Sequence, residues 1–106
     1  MKIIYNKLIR DRIPEIIREE GKECEVEVMG EDEYRQALLE KLVEEAEEAA
    51  KAGDGELVVE IADLLEVIDA VLDVWGIPEV EVMEIKRERC QMRGGFERRF
   101  RLISTE

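Results

Sequence analysis

Between Glu31 and Ala52, apolar side chains return every third or fourth place, with Leu38, Leu42, Ala46, Ala49 and Ala50 sharing one broad face at helical phase. Acidic and basic side chains fill the opposite side, as in a helix with one buried stripe. Asp32 stands where an N-cap is expected, and the helix is predicted to run to about Ala52. GDG at 53–55 reads as a turn. Asp54 is then placed to cap a second long helix through Trp75, which Gly76 stops. Upstream, Pro14 suits the first turn of a short helix, PEIIREEG, closed by Gly21. CEVEVM alternates, so a short strand or extended segment is expected over Glu25–Val28. Downstream, Pro78 starts a charged helix to about Arg93, GGF breaks it, and FRLIS reads as a terminal extended piece. The expected architecture is one all-α domain over residues 1–106. At its centre is an antiparallel pair of long helices that forms a four-helix-bundle-type core on oligomerisation, with short extended segments near the N-terminal third and the C-terminus.

The second long helix is apolar over much of its circumference. Leu57, Ile61, Leu64, Leu65, Ile68, Val71, Leu72 and Trp75 make one face, and Val67, Ala70 and Val74 extend it. Two acids interrupt this surface: Glu60 projects between the directions of Val67 and Val71, and Asp63 between those of Val74 and Ala70. On the first long helix, Glu40, Glu44, Glu47 and Lys51 fall on the polar side, with Glu44 nearer its border. Glu45 sits on the flank of the apolar stripe beside Leu38 and Ala49, with Glu48 next to it. An ionised carboxylate buried without a partner costs several kcal/mol, on the order of the whole stability of a small domain. No Lys, Arg or His occurs between Asp54 and Trp75. These acids are therefore protonated, or they meet cations from elsewhere. The bland arrangement is a salt-bridged interface with the basic ends of the chain.

If the long helices run antiparallel across the tight turn, Glu45 and Glu48 come level with Glu60 and Asp63. Four hard oxygen donors in one place suit Mg²⁺ or Mn²⁺. The chain has no histidine, which disfavours ExxH di-iron bundles and common zinc sites and removes the usual general base.

Composition sharpens this picture. The net charge of −12 argues against indiscriminate nucleic-acid binding, and aromatics are only 5 % of residues, which leaves few stacking platforms. Cys24 and Cys90 lie far apart outside any CxxC pattern, so they read as reduced thiols, with a lone disulfide the alternative. No apolar run reaches membrane-spanning length and no signal peptide is apparent, so a cytoplasmic location is expected. Cations gather at the ends. Lys7, Arg10 and Arg12 precede Pro14, and Lys86, Arg87, Arg89 and Arg93 begin a basic last third. Gly94-Gly95 lacks the GxxxxGK[ST] pattern of a phosphate loop and reads as a helix stop.

Glu44-Glu45-x-x-Glu48 followed by Glu60-x-x-Asp63 resembles the EExxE…ExxD signature of the MazG-type, all-α nucleotide pyrophosphohydrolases. That superfamily also holds the phosphoribosyl-ATP pyrophosphohydrolases and dimeric dUTPases. YNKLIRDRIPEII and the ending Lys86…RGGFERR are similar to its small house-cleaning branch, so the resemblance covers nearly the whole chain. The spacer between the two acid motifs is short for the family, as a tight GDG turn requires. The resemblance implies Mg²⁺-dependent hydrolysis of a nucleoside triphosphate between the α and β phosphates, giving a monophosphate and pyrophosphate, with Mn²⁺ as a substitute ion. It implies that Glu45, Glu48, Glu60 and Asp63 hold metal. It makes Glu44 and Glu45 the candidates for the catalytic step, with Glu44 either an outer acid that supports the ligands or one that helps orient the attacking water. An acidic cage that accepts a polyanion also needs nearby cations, and Lys7, Arg10, Lys86 and Arg93 are the candidates for binding substrate.

The apolar excess on the second helix requires a partner surface, so a homodimer or homotetramer is expected. The rival functions are a non-catalytic helical interaction or regulatory protein with an acidic face, and an RNA-binding module built on the arginine-rich end.

Overall fold

The computed structural model describes residues 1–106, and all of its regular secondary structure is helical. Its elements are α1 (Ile13–Glu19), α2 (Glu31–Lys51), α3 (Leu57–Trp75) and α4 (Glu79–Arg93). Two positive-φ glycines set helix ends. At Gly76 (φ 64°) the N–H donates to the Asp73 carbonyl while that of Ile77 donates to Leu72. At Gly21 (φ 81°) the same pair of bonds runs to Arg18 and Ile17. Both are Schellman closures, which place the residue after the helix in the left-handed region where a Cβ is disfavoured.

The expected caps are displaced. Gly30, rather than Asp32, is the N-cap of α2, and Glu56, rather than Asp54, is that of α3; neither uses a side-chain bond. Asp32 instead lies in the first turn of α2 with Glu31 and Glu33, where negative charge still favours the helix N-terminus. Asp54 is part of the turn, which closes when the Glu56 and Leu57 N–H groups donate to the Gly53 carbonyl. Of the short strand or extended segment expected over Glu25–Val28, no strand is formed, and the FRLIS tail has no regular structure. A strand needs a ladder partner, and no second one exists in the chain.

The body of the molecule is the antiparallel α2–α3 pair, the one extensive helix–helix packing in the chain. Leu38 (3 % exposed) and Val67 (9 %) are the only buried apolar residues, and Glu45 (8 %) is buried between them in rank. Side chains of intermediate exposure complete the seam, including Leu42 and Ala49 on α2 and Leu64, Ala70, Val71 and Val74 on α3. The expected faces need rotating. Ala46 and Ala50 are exposed, as are Leu57, Ile61 and Leu65. The α3 face turned to α2 is centred on Val67 and includes Glu60 and Asp63, which by helical phase lie about 20° and 40° from it. The richest aliphatic stripe is left bare.

That stripe is continuous across the pair. By helical phase, Leu39 and Val43 on α2 and Leu57, Ile61 and Leu65 on α3 lie roughly 80–160° round from Leu38 and Val67, on the same side of the pair. The acids lie on the other side, where the N-terminal segment crosses. The molecule measures 59 × 33 × 27 Å, and its radius of gyration of 18.5 Å exceeds the roughly 13 Å of a compact chain this long. Helix α4 buries no residue.

Candidate metal centre

Glu45 is held late in α2 and Glu60 in the first turn of α3, so the tight 52–56 turn brings the two level. One carboxylate oxygen each from Glu45, Glu60 and Asp63 lies within 4.8 Å of the others. Three anions this close repel one another unless a proton or a cation intervenes. The structure supplies cations for part of the set. Arg10 Nη1 lies 3.8 Å from Asp63 Oδ1, and Arg10 Nη2 lies 3.7 Å from Glu66 Oε2. Lys41 Nζ lies 3.5 Å from Glu45 Oε1 and 3.6 Å from Glu44 Oε1. Lys7 Nζ reaches Glu44 Oε1 at 3.9 Å. The salt-bridged arrangement is thus realised around the rim.

It does not reach the middle. Glu45 Oε2 and Glu60 Oε2 are both buried with no hydrogen-bond partner, and Glu60 forms no ion pair. Buried polar atoms are nearly always satisfied, so two orphan oxygens from facing helices require an explanation. Glu60 is pushed above the ordinary carboxylate range, first by desolvation and then by the charges of Glu48, Asp63, Glu45 and Glu56. The donor set is all oxygen, anionic and preassembled on rigid helices, which fits a hard divalent ion.

The structure places the sequence-derived residues differently. Glu45, Glu60 and Asp63 converge. Glu48 is exposed and outside that group of three, although its charge is the largest single electrostatic influence on Glu60. Glu44, half-buried, stands at the rim between two lysines. Lys7 and Arg10 arrive over the acids on the N-terminal segment, but Lys86 and Arg93 remain exposed on α4 and form no ion pair.

Two side chains escaped the sequence reading. Lys41 is one turn before Glu45 and, at 18 % side-chain exposure, is partly buried. Glu66 is one turn after Asp63 and shares Arg10 with it. The i+3 and i+4 spacing of these charges was the available signal.

Residues 8–11 line a cleft of about 270 Å³ together with Tyr34, Leu38, Lys41, Val67 and Ala70, and Glu45 and Asp63 open onto it. Trp75 is only partly buried and lies under Arg35, 5.3 Å from guanidinium carbon to ring centroid. Both cysteines are free. No helix is long and apolar enough to cross a membrane. Comparison with family models, with curated proteins and with solved structures finds no match.

Proposed function

We propose that this chain is a divalent-metal-dependent nucleoside triphosphate pyrophosphohydrolase, of the MazG-like kind, that removes non-standard nucleotides by cleaving between the α and β phosphates. The observation that carries this reading is the pair of orphan oxygens, Glu45 Oε2 and Glu60 Oε2, with Asp63 within 4.8 Å. They fit Mg²⁺ or Mn²⁺, with Glu45, Glu60 and Asp63 as the inner donors and Glu48 within electrostatic range. When bound, such an ion neutralises phosphate oxygens and acidifies water, so chemistry without histidine becomes feasible.

The chain's own residues supply the rest. Arg10 and Lys7 already lie over the acids and can turn their donors to phosphate oxygens as these replace the carboxylates. Lys86 and Arg93 join them only when α4 is brought closer by assembly. Glu44 orients the attacking water at the rim. In the overall reaction one P–O bond of the α,β-anhydride breaks, the water oxygen bonds to phosphorus, and the water proton leaves through a carboxylate. The cleft lined by Tyr34 and Val67 is where the nucleoside end finds apolar surface.

The catalyst in this reading is a homo-oligomer, at least a dimer. An exposed area of 9957 Å² compares with roughly 6,100 Å² expected for a compact 12.3 kDa chain. The excess, roughly 3,900 Å² per chain, is larger than the roughly 1,000–2,500 Å² that each partner buries in an obligate dimer, so a dimer face accounts for only part of it. A second copy laid on the Leu57–Ile61–Leu65 stripe forms a four-helix bundle and leaves the acid side open. The same bare stripe favours the alternative, a non-catalytic interaction protein. Pyrophosphate release over a panel of nucleoside triphosphates, with and without Mg²⁺ and Mn²⁺, separates the two. Metal-dependent turnover supports the enzyme, and its absence across standard, deaminated and oxidised bases removes it.

A further inference from the structure

We infer that Lys41 is a positioning residue that holds Glu45 by one carboxylate oxygen so that the other faces the metal position. This rests on the metal-centre reading above. The Lys41 ammonium lies 3.5 Å from Glu45 Oε1, while Glu45 Oε2 is buried and unpartnered. The two oxygens of a single carboxylate therefore have different occupations. One is neutralised by an internal cation, and the other is left available beside Glu60 Oε2.

An ordinary surface pair does not account for this arrangement. Lysine four residues before glutamate is the less favourable order along a helix, because it runs against the helix dipole. The lysine is also drawn inward rather than left in solvent, at 18 % side-chain exposure against 10 % for Glu45. Burial of a long, strongly hydrated side chain costs rotamer freedom and solvation. What the position gives in return is orientation. From one turn below, the ammonium touches Glu44 and Glu45 together. It fixes the rotamer of the inner acid and spaces it from the rim acid. Carboxylates that ligate metals are commonly held by such outer contacts.

The sign of one measurement distinguishes positioning from simple charge balance. If Lys41 were merely a counter-ion competing with the metal, its removal would tighten metal binding. As a positioning residue, its removal weakens binding even though a repelling charge has gone. The test is calorimetric titration of the full chain with Mn²⁺ alone. Lys41→Met is expected to lower affinity about 10- to 100-fold. Lys41→Arg, which can still span both acids, stays within about threefold by the same argument. Lys51→Met, which removes the same charge from the same helix, is expected to leave affinity unchanged. Circular-dichroism melts confirm that each variant is folded, and Lys41→Gln replaces Lys41→Met if the latter is not. Unchanged or tighter Mn²⁺ binding by a folded Lys41→Met or Lys41→Gln chain overturns the assignment. Failure of the unmutated chain to take up Mn²⁺ overturns the metal centre itself, a distinct result.

Discussion

Glu45 on α2 and Glu60 on α3 each bury one carboxylate oxygen that no donor meets, and Asp63 places a third oxygen within 4.8 Å. The pair spans the only substantial packing in the chain, so the stress between these acids acts on the α2–α3 seam itself. Folding brings them together and desolvates Glu60; in the unfolded chain they are apart and hydrated. The acids therefore oppose the fold until a proton or cation joins them.

This opposition has a definite pH signature. The Glu60 carboxyl is raised in the folded chain, by desolvation first and by neighbouring carboxylates next. Between its ordinary and its raised value, the folded state binds more protons than the unfolded state, so stability falls as pH rises. Below the ordinary carboxylate range Glu60 is protonated in both states and the penalty vanishes. In metal-free buffer, Glu60→Gln is expected to raise Tm at neutral pH and to leave it unchanged at acid pH. With Mn²⁺ added, the order reverses at neutral pH, because the variant cannot gain the stabilisation that binding confers. Thermal melts of both chains across pH, with and without the ion, check all of this. A neutral-pH Tm for Glu60→Gln below that of the native chain without metal would refute it.

Arg10 gives a contrasting case. Its contacts to Asp63 and Glu66 are long and its guanidinium is more than half exposed, so the pairs contribute only about 0–1 kcal/mol to stability. Its value on the proposed reading is to the substrate. A charge-assisted bond to phosphate contributes about 1.5–3 kcal/mol, or roughly 10- to 100-fold in kcat/KM. Arg10→Gln is expected to keep Tm nearly constant and to raise KM for a nucleoside triphosphate. Steady-state kinetics beside a melt test this, and an unchanged kcat/KM would remove Arg10 from the site.

The candidate centre was legible for a physical reason. Glu60 and Asp63 interrupt an apolar helix, and period alone shows that they cannot both reach bulk water comfortably. Gly76 was legible because a left-handed closure needs glycine. Lys41 was not, since its two partners lie on its own helix and a row of alternating charge looks solvated. Phase puts Glu44 on the polar side near its border, where it is half-buried; what phase does not show is that Lys7 and Lys41 meet there. Ile61 and Leu65 show the other limit. Phase groups them on one apolar face, but it does not say whether that face meets α2 or something outside the chain. The caps at Asp32 and Asp54 failed because both sequences offer a glycine or a turn nearby that closes the backbone without a side chain.

Leu38 couples the core to the centre. It is the most buried residue in the chain, and it lines the cleft together with Glu45 and Val67. Truncation of such a leucine to alanine removes contacts and leaves a void, which costs about 2–5 kcal/mol. With so few buried side chains, neighbours cannot share the loss. Leu38→Ala is expected to lower stability by that amount in urea titration and to weaken Mn²⁺ binding with it, since the two helices that carry the acids lose their register. A full-strength Mn²⁺ site in a destabilised Leu38→Ala chain would show that the centre does not depend on the seam.

The bare stripe offers the last test. Leu57, Ile61 and Leu65 sit on consecutive turns of α3 and are exposed, as are Leu39 and Val43 on α2. Aliphatic surface this continuous is rarely left to water by a monomer. Its position opposite the acids leaves the acid side open when a second copy covers the stripe. A lysine introduced at the middle of the stripe must bury its charge against a second copy, so Ile61→Lys is expected to convert a dimer or larger species into a 12.3 kDa chain in sedimentation equilibrium. The native chain, unlike the variant, should show a Tm that climbs with protein concentration, because association stabilises by mass action. Exposed lysine alone is harmless in an isolated hairpin, so a variant that still sediments with the native mass would place the interface elsewhere. A native chain that sediments at 12.3 kDa would leave the excess exposed area without an owner and would count against an oligomeric catalyst.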